Sequence, residues 1–240
     1  MNIPVLLPYL TYKSRCLGSA LFLLLFSAKA AFSVDSSCSG VSATDYAYRQ
    51  STGTKVDTVY RSFISSANET IITYRDARGM KSKTFCDDNF NIHSWHFENK
   101  ETGYDITATR TGDTIAIKGI KRKKTIQKFL TIDSLPWYQP LEFSLLSFLK
   151  SGRPECGFWM IRPTDMSAFK MVARRKTLET VQVDGRVEKA LKVTLSPRGI
   201  KGKLWRATYW YRANDYSFLK NEFPRLPGAS PTITKSIQKK

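Results

Sequence analysis

The chain has 240 residues, of which 42% are apolar and 12% aromatic, so it can bury the core of one domain of about 200 residues. No break in composition and no low-complexity linker indicates a second domain, and no apolar run after the N-terminal region is long enough to span a membrane. Lys and Arg exceed Asp and Glu by 18, which favours an anionic partner, although a basic surface can also serve only to keep a protein soluble.

The N-terminal region has the organisation of a secretory signal peptide. Lys13 and Arg15 precede the apolar run Leu17–Phe26, which is short for a membrane span, and small residues follow at Ala28-Lys29-Ala30. We expect cleavage after Ala30, a flexible lead over residues 31–43, and a mature protein in the periplasm or outside the cell. An uncleaved membrane anchor is the alternative.

Removal of the signal peptide takes Cys16 and leaves Cys38, Cys86 and Cys156. Because three cysteines cannot all pair within one chain, we expect one disulfide and one free thiol, with Cys38–Cys86 and Cys86–Cys156 both possible. Neither Cys16 nor Cys38 follows the small apolar residues that lipidation requires, which disfavours a lipoprotein signal.

Short segments rich in Tyr, Thr, Ile and Val alternate with turn residues from residue 44 to residue 132. Tyr104, Ile106 and Ala108 alternate with polar residues, so one face of that segment is apolar. Since no helical pattern separates the segments, they predict an antiparallel meander. The predicted strands are Thr44–Arg49, Val56–Phe63, Glu69–Arg75, Lys81–Cys86, Ile92–Glu98, Tyr104–Arg110, Thr114–Ile120 and Thr125–Ile132.

A basic turn separates the last two of these strands and contains Lys121, Arg122, Lys123 and Lys124. Four adjacent cations can hold an anionic headgroup or dock on a membrane surface, so these residues are a candidate anion-binding site. A charged turn in solvent is the more frequent explanation of such a run.

Residues 140–150 form the one segment of the mature chain that favours a helix. Pro140 suits the first helical position, and Gly152 followed by Pro154 would end the run. Ser144 and Ser147 lie opposite the apolar stripe. A strand is the alternative, because apolar and polar residues also alternate at the start of the segment. The apolar stripe contains Leu141, Leu145, Phe148 and Leu149.

A second set of strands follows the helix. Asp184–Gly185 is a two-residue turn typical of a β-hairpin, and residues 224–240 are expected to form an exit loop and a basic tail. The sequence thus predicts a mainly β protein, in which residues 44–223 form a curved antiparallel sheet or unclosed β-barrel with the helix packed on its concave face. The predicted strands of this set are Phe158–Arg162, Phe169–Glu179 continuing to Val183, Val187–Leu195, Leu204–Arg212 and Phe218–Phe223.

Residues that could carry catalysis or bind a metal are few. In a strand, His93 and His96 would lie on opposite faces and would not bind one metal together. Cys86 could act as a thiol nucleophile with a histidine base, but the surrounding sequence matches no nucleophile motif. The sequence contains no common phosphate-binding, metalloprotease or serine hydrolase motif. We therefore expect a non-enzymatic protein without a metal or cofactor.

Tyrosine precedes arginine at four positions. Alternating aromatic and basic residues can stack bases and bind phosphates. Neighbours in a strand point to opposite faces, however, so the simpler interpretation places each Tyr in the core and each Arg in water. Export also argues against a nucleic-acid partner. The pairs are Tyr48-Arg49, Tyr60-Arg61, Tyr74-Arg75 and Tyr211-Arg212.

Several short motifs, spread from about Tyr46 to Phe223, resemble those of uncharacterised periplasmic proteins related to the LolA/LolB lipoprotein-carrier superfamily. The resemblance implies an unclosed β-barrel with a helical lid, whose concave apolar face accepts acyl chains, and it implies no catalytic residue. A lipidation motif of the LolB kind is missing, which leaves membrane anchoring in doubt. The motifs are Leu135-Pro136-Trp137, Val181–Arg186, Ala190-x-Lys192-Val193 and Trp210-Tyr211-Arg212 followed by Asp215.

Two main hypotheses follow for function. In the first, the protein binds or carries a lipid or other amphipathic ligand, and the basic turn holds the headgroup or docks on a membrane. In the second, a packed core holds no ligand, and the basic surface binds an anionic envelope component. A thiol-dependent enzyme using Cys86 or Cys156, with a lowered thiol pKa, is a third and weaker possibility. For the first hypothesis, the candidate lid and cavity residues are Trp137, Leu141, Leu145, Phe148 and Leu149.

Overall fold

The computed structural model of this protein describes residues 42–66, 69–199, 205–223 and 230–237. It confirms a mainly antiparallel β fold with an unclosed sheet of 14 strands and one short helical segment. The strands are β1 (Ser42–Thr52), β2 (Lys55–Ser65), β3 (Thr70–Asp76), β4 (Met80–Cys86), β5 (Ile92–Asn99), β6 (Tyr104–Thr111), β7 (Thr114–Lys121), β8 (Lys124–Thr131), β9 (Glu155–Arg162), β10 (Ser167–Val183), β11 (Arg186–Pro197), β12 (Ala207–Arg212), β13 (Phe218–Phe223) and β14 (Thr232–Ile237).

The strands form two meanders that are joined by the last strand. β1 to β8 lie in chain order on one side, β9 to β13 lie in chain order on the other, and β14 pairs with both β1 and β13. The two edges of the sheet are β8 and β9. The connection after β8 lies along the β9 edge, where Trp159 N donates to Pro136 O at 2.7 Å and Tyr138 N donates to Trp159 O at 2.9 Å. These bonds satisfy backbone groups that an open edge would leave unpaired.

The position of β14 corrects the prediction that residues 224–240 form an exit loop and a tail. Residues 232–237 are a strand inside the sheet, paired on both sides. Thr232 and Thr234 are its buried residues, whereas Ile233 and Ile237 are only half-buried. The inward side of this strand is polar, so its sequence lacks the apolar alternation that indicates a half-buried strand.

The helical segment has two parts, α1 (Leu141–Ser144) and α2 (Leu146–Lys150), which are interrupted at Leu145. Pro140 is not the first helical residue as predicted; it caps α1 in an extended conformation. Ser144 is fully buried rather than exposed, and its hydroxyl accepts a hydrogen bond from Gln139 N at 3.1 Å. The polar side of this helix is buried because the sheet curves around it and leaves no side of α1 to solvent.

The helical segment connects two apolar cores on the inner side of the sheet. Leu141, Leu145, Phe148 and Leu149 pack in a core formed mainly with β9 to β13, and Phe143 packs in a core formed mainly with β5 to β7. A third, smaller core surrounds Trp210 on the outer face, where Val181, Val183, Ala190 and Leu219 pack together. The inward side chains of both meanders therefore meet on the helix, as expected for a helix on a concave face.

Cys86 and Cys156 are free thiols in the structure. The Cys86 side chain is completely buried and lies against Thr70 O at 3.3 Å. Cys38, the signal peptide with its expected cleavage at Ala30, and most of the lead over residues 31–43 lie outside the described residues. Within the described part of the chain, no helix is long and apolar enough to cross a membrane.

Candidate ligand-binding cavity

A cavity of about 360 Å³ lies between the inner face of the sheet and the start of α1. Its wall contains at least as many polar residues as apolar ones, but most of the surface that faces the cavity is apolar. The apolar part contains Val59, Met80, Trp95, Phe97, Pro140, Leu141, Met160, Ile161 and Phe223, and the polar part includes Gln50, Arg61, Glu142, Trp205, Tyr209, Asn221, Thr232 and Thr234. This composition is typical of a small-molecule site, in which a few polar groups orient a mostly apolar ligand.

An ion pair between sheet and helix forms part of the cavity wall. Arg61 Nη2 of β2 donates to Glu142 Oε1 of α1 at 2.8 Å. The side chains of the two residues are only 10% and 7% exposed. The guanidinium also lies over the ring of Tyr74, with 4.8 Å between Cζ and the ring centroid. Stacking on an aromatic ring and pairing with a carboxylate offset the desolvation cost of burying an arginine.

Arg61 reaches the cavity because of the register between β1 and β2. Thr52 pairs with Lys55 across the turn at Gly53, and this register places Arg61 beside Tyr46 and Tyr60 beside Ala47. Tyr46 faces inward, so Arg61 does too, whereas Tyr60 is 45% exposed. The prediction that each Tyr–Arg pair buries its tyrosine is therefore wrong at Tyr60-Arg61.

Two of the other three Tyr–Arg pairs follow the prediction; at Tyr211-Arg212 the tyrosine is buried as predicted, but Arg212 is only half-buried and pairs with Glu188 and Asp215. Tyr48 and Tyr211 are buried, Tyr74 is half-buried, and Arg49 and Arg75 are exposed. The Tyr48 and Tyr211 rings lie inside the sheet, and burial is the main cause of the raised pKa of both hydroxyls. The Tyr211 hydroxyl donates to Leu141 O at 2.9 Å and so holds α1 against the sheet.

A row of uncharged polar residues crosses the opposite part of the wall. Asn221 of β13 pairs with Thr234 of β14, and Thr234 pairs with Gln50 of β1. All three line the cavity, and Asn221 is completely buried. Since the three residues occupy neighbouring strands on one face, they form a continuous row of polar side chains, here called the polar strip.

The structure places the predicted lid and cavity residues mostly behind the wall. Leu141 lines the cavity, whereas Trp137, Leu145, Phe148 and Leu149 are buried in the surrounding cores and do not line it. The polar wall residues were not recognised from the sequence. The inward direction of Arg61 could have been inferred from the register that the turn at Gly53 sets. The inward direction of Asn221 and Thr234 could be inferred only with the knowledge that β14 is part of the sheet.

The basic turn lies beside one part of the cavity wall. Arg122 and Lys123 are its two central residues, both with positive φ, and Lys124 is exposed. Lys121 Nζ donates to Thr164 O at 2.9 Å, and Thr164 lines the cavity. Partial burial lowers the pKa of Lys121. The four cations are thus next to a cavity-lining loop rather than distant from it.

In the part of the chain that the structure describes, the two histidines and the thiols of Cys86 and Cys156 form no recognisable reaction centre. His93 lies 3.3 Å from a carboxylate oxygen of Glu69, and His96 lies 2.8 Å from one of Asp105. No group of three potential metal-binding side chains occurs among the described residues. Burial raises the pKa of Cys86 to about 12 and also raises that of Cys156, the reverse of the lowered thiol pKa expected for an activated cysteine.

The fold is similar to that of a solved β-barrel-like structure. It is the crystal structure of a β-barrel-like protein of domain of unknown function DUF1849 from Brucella abortus, which matches with a TM-score of 0.55 and 11% sequence identity. The match covers 81% of this chain and 95% of that chain. No protein-family model and no curated protein matches the sequence. The likeness shows a β-barrel-like fold.

Proposed function

We propose that this protein is an exported, non-enzymatic protein of the bacterial cell envelope that binds or carries a lipid or other amphipathic ligand in its concave cavity. The observation that carries the proposal is the wall of the cavity, which joins Trp95, Phe97 and other apolar side chains to a buried ion pair and a polar strip. Such a wall matches a molecule with an apolar chain and a polar end.

The size and composition of the cavity support an acyl chain as the apolar part. A volume of about 360 Å³ lies near the lower end of the usual range for ligand sites. Each methylene group that moves from water to an apolar wall contributes about 0.8 kcal/mol. A chain of medium length therefore gives a useful binding free energy without any strong polar contact.

The helical segment is the part of the wall that would move during loading. Two polar contacts hold α1 to the sheet, the Arg61–Glu142 ion pair and the bond from the Tyr211 hydroxyl to Leu141 O. We propose that α1 acts as a lid. A helical lid is expected for a relative of the lipoprotein-carrier superfamily, and a relation to that superfamily is part of the proposal. The basic turn beside Thr164 would hold the protein on an anionic membrane surface during transfer.

Filling the cavity tests this function. Ser82 lines the cavity on β4, so Ser82→Trp places an indole in the ligand space. Thr107 of β6 is exposed on the outer face, so Thr107→Trp is the matched control. The probe is N-phenylnaphthylamine, a neutral dye whose fluorescence rises in apolar surroundings.

We expect the wild type and Thr107→Trp to bind the dye with similar affinity, and Ser82→Trp to lose most of the signal while remaining folded by circular dichroism. Equal dye binding by all three proteins would show that the cavity is not the site. If none of them binds the dye, and the protein instead binds acidic polymers in a salt-sensitive way, the packed-core interaction hypothesis replaces this one.

A further inference from the structure

Buried polar atoms without a hydrogen-bond partner are concentrated in the cavity wall. Among the described residues, six buried side-chain nitrogen or oxygen atoms have no such partner. Four of the six belong to cavity residues: Arg61 Nε, Trp205 Nε1, and both amide atoms of Asn221. A buried polar group without a hydrogen-bond partner destabilises the folded protein, so this concentration marks a place where a ligand can supply the missing partners.

The unpartnered atoms define the hydrogen-bonding character of the missing ligand group. Arg61 Nε, Trp205 Nε1 and Asn221 Nδ2 are donors, and Asn221 Oδ1 is the one acceptor. A complementary group therefore offers acceptor oxygens, such as a carbonyl, and one donor, such as a hydroxyl.

The charges of the wall define the ligand group further. The Arg61 cation is paired with Glu142, and Arg162, the other arginine that lines the cavity, donates to both carboxylate oxygens of Asp165. The wall therefore has no uncompensated cation among its described residues. An anionic headgroup would be buried beside Glu142 without a counterion, which is unfavourable.

Asn221 carries two of the four unpartnered atoms in the cavity wall. It belongs to the polar strip with Thr234 and Gln50, and Tyr209 lies opposite it on β12. Burial raises the pKa of Tyr209, and a hydrogen-bonding contact from the Asn221 side chain partly opposes that rise, so the two side chains are close. The Asn221 amide nevertheless has no partner with hydrogen-bond geometry among the described residues.

We propose that Asn221 and Trp205 form a headgroup subsite for an uncharged acyl ester that carries a free hydroxyl, the chemistry of an acylglycerol. This inference rests on the proposed function and adds the class of ligand. Asn221 donates to the ester carbonyl and accepts from the hydroxyl, while the apolar wall holds the acyl chain. The indole N–H of Trp205 donates to another oxygen of the headgroup.

The test compares two probes with the same acyl chain, monolauroylglycerol and ionised laurate, by isothermal titration calorimetry on the mature protein. Asn221→Leu removes the amide and keeps the volume, and Trp205→Phe removes one donor and keeps an aromatic ring. Thr84→Val is the matched control, because Thr84 is also fully buried with an unpartnered hydroxyl but does not line the cavity.

We expect the wild type to bind monolauroylglycerol at least about tenfold more tightly than laurate, the effect of roughly one well-placed hydrogen bond. Asn221→Leu and Trp205→Phe should each weaken monolauroylglycerol binding by a similar factor and leave laurate binding unchanged, and Thr84→Val should change neither. If Asn221→Leu fails to fold, Trp205→Phe alone decides the outcome.

Laurate binding as tightly as monolauroylglycerol, or variants that retain the wild-type preference, would overturn the headgroup subsite and leave the proposed function standing. Failure of the wild type to bind either probe or the neutral dye would overturn the proposed function itself.

Discussion

The Arg61 guanidinium of β2 donates a 2.8 Å hydrogen bond to the Glu142 carboxylate of α1, and water reaches little of either side chain. Because removal of one partner leaves the other charge buried and unpaired, we expect Arg61→Met to lower the free energy of unfolding by about 3–5 kcal/mol. Urea denaturation followed by circular dichroism measures this loss.

The double variant Arg61→Met with Glu142→Leu is the control for this prediction. It replaces both charges by apolar groups, so it should recover most of the lost stability. A double variant as unstable as the single one would show that packing of the arginine, rather than charge pairing, matters at this position.

Asp133 makes stability depend on pH in the acidic range. Its carboxylate accepts hydrogen bonds from Lys170 and from Trp159 Nε1, and these bonds lower its pKa from 3.8 to about 2. Because the pKa is lower in the folded state, the ionised Asp133 carboxylate contributes its full stabilisation above pH 3.8, and this contribution disappears as the pH falls through about 2.

We therefore expect Asp133→Asn to flatten the fall in the urea midpoint over this pH interval, relative to wild type. Asp113→Asn, at an exposed turn residue, serves as the control. Parallel pH profiles for wild type and Asp133→Asn would contradict the assigned hydrogen bonds.

The Cys86 thiol should be unreactive in the folded protein. Its side chain is buried, and its pKa of about 12 leaves almost no thiolate near neutral pH. Iodoacetamide followed by peptide mass spectrometry should show Cys86 modified only after denaturation. Rapid alkylation of Cys86 in the native state would instead favour the thiol-dependent enzyme hypothesis.

Gly119 is required by the close approach of β6 and β7. Its φ is 144°, and a Cβ atom there would lie 2.1 Å from Asp105 O and 2.8 Å from Ile106 Cα. Both are backbone atoms, so Gly119→Ala should cost about 3 kcal/mol or more, measured by thermal unfolding. Gly112→Ala is the control: its φ is also positive but no heavy atom lies within 4 Å of the added Cβ, so we expect about 1–2 kcal/mol. Equal losses would contradict the close approach.

The strands and turns of this fold could be predicted from the sequence because their signals are local. The turn at Asp184–Gly185 and the alternation from Tyr104 to Ala108 appear in the structure as predicted. The helical segment was also located correctly, although its burial on all sides could not be inferred, since that depends on how far the sheet curves around it. β14 was missed because its buried face is made of threonines.

Much less of the cavity than of the fold could be predicted from the sequence. Its wall residues come from both meanders and from the helix, and they meet only through the pairing of β14 with β1 and β13. The apolar residues chosen on the helix, such as Leu145 and Phe148, belong to the core that supports the cavity. Arg61 could have been assigned inward by counting from the turn at Gly53, but its partner Glu142 is 81 residues away and was not predictable.

Native mass spectrometry of the protein purified without detergent from its own host tests the central claim most directly. We predict a bound species of lipid mass that is released on denaturation and is absent from Ser82→Trp. A folded protein that shows only its own mass, in wild type and variant alike, would contradict the claim that the cavity holds a lipid.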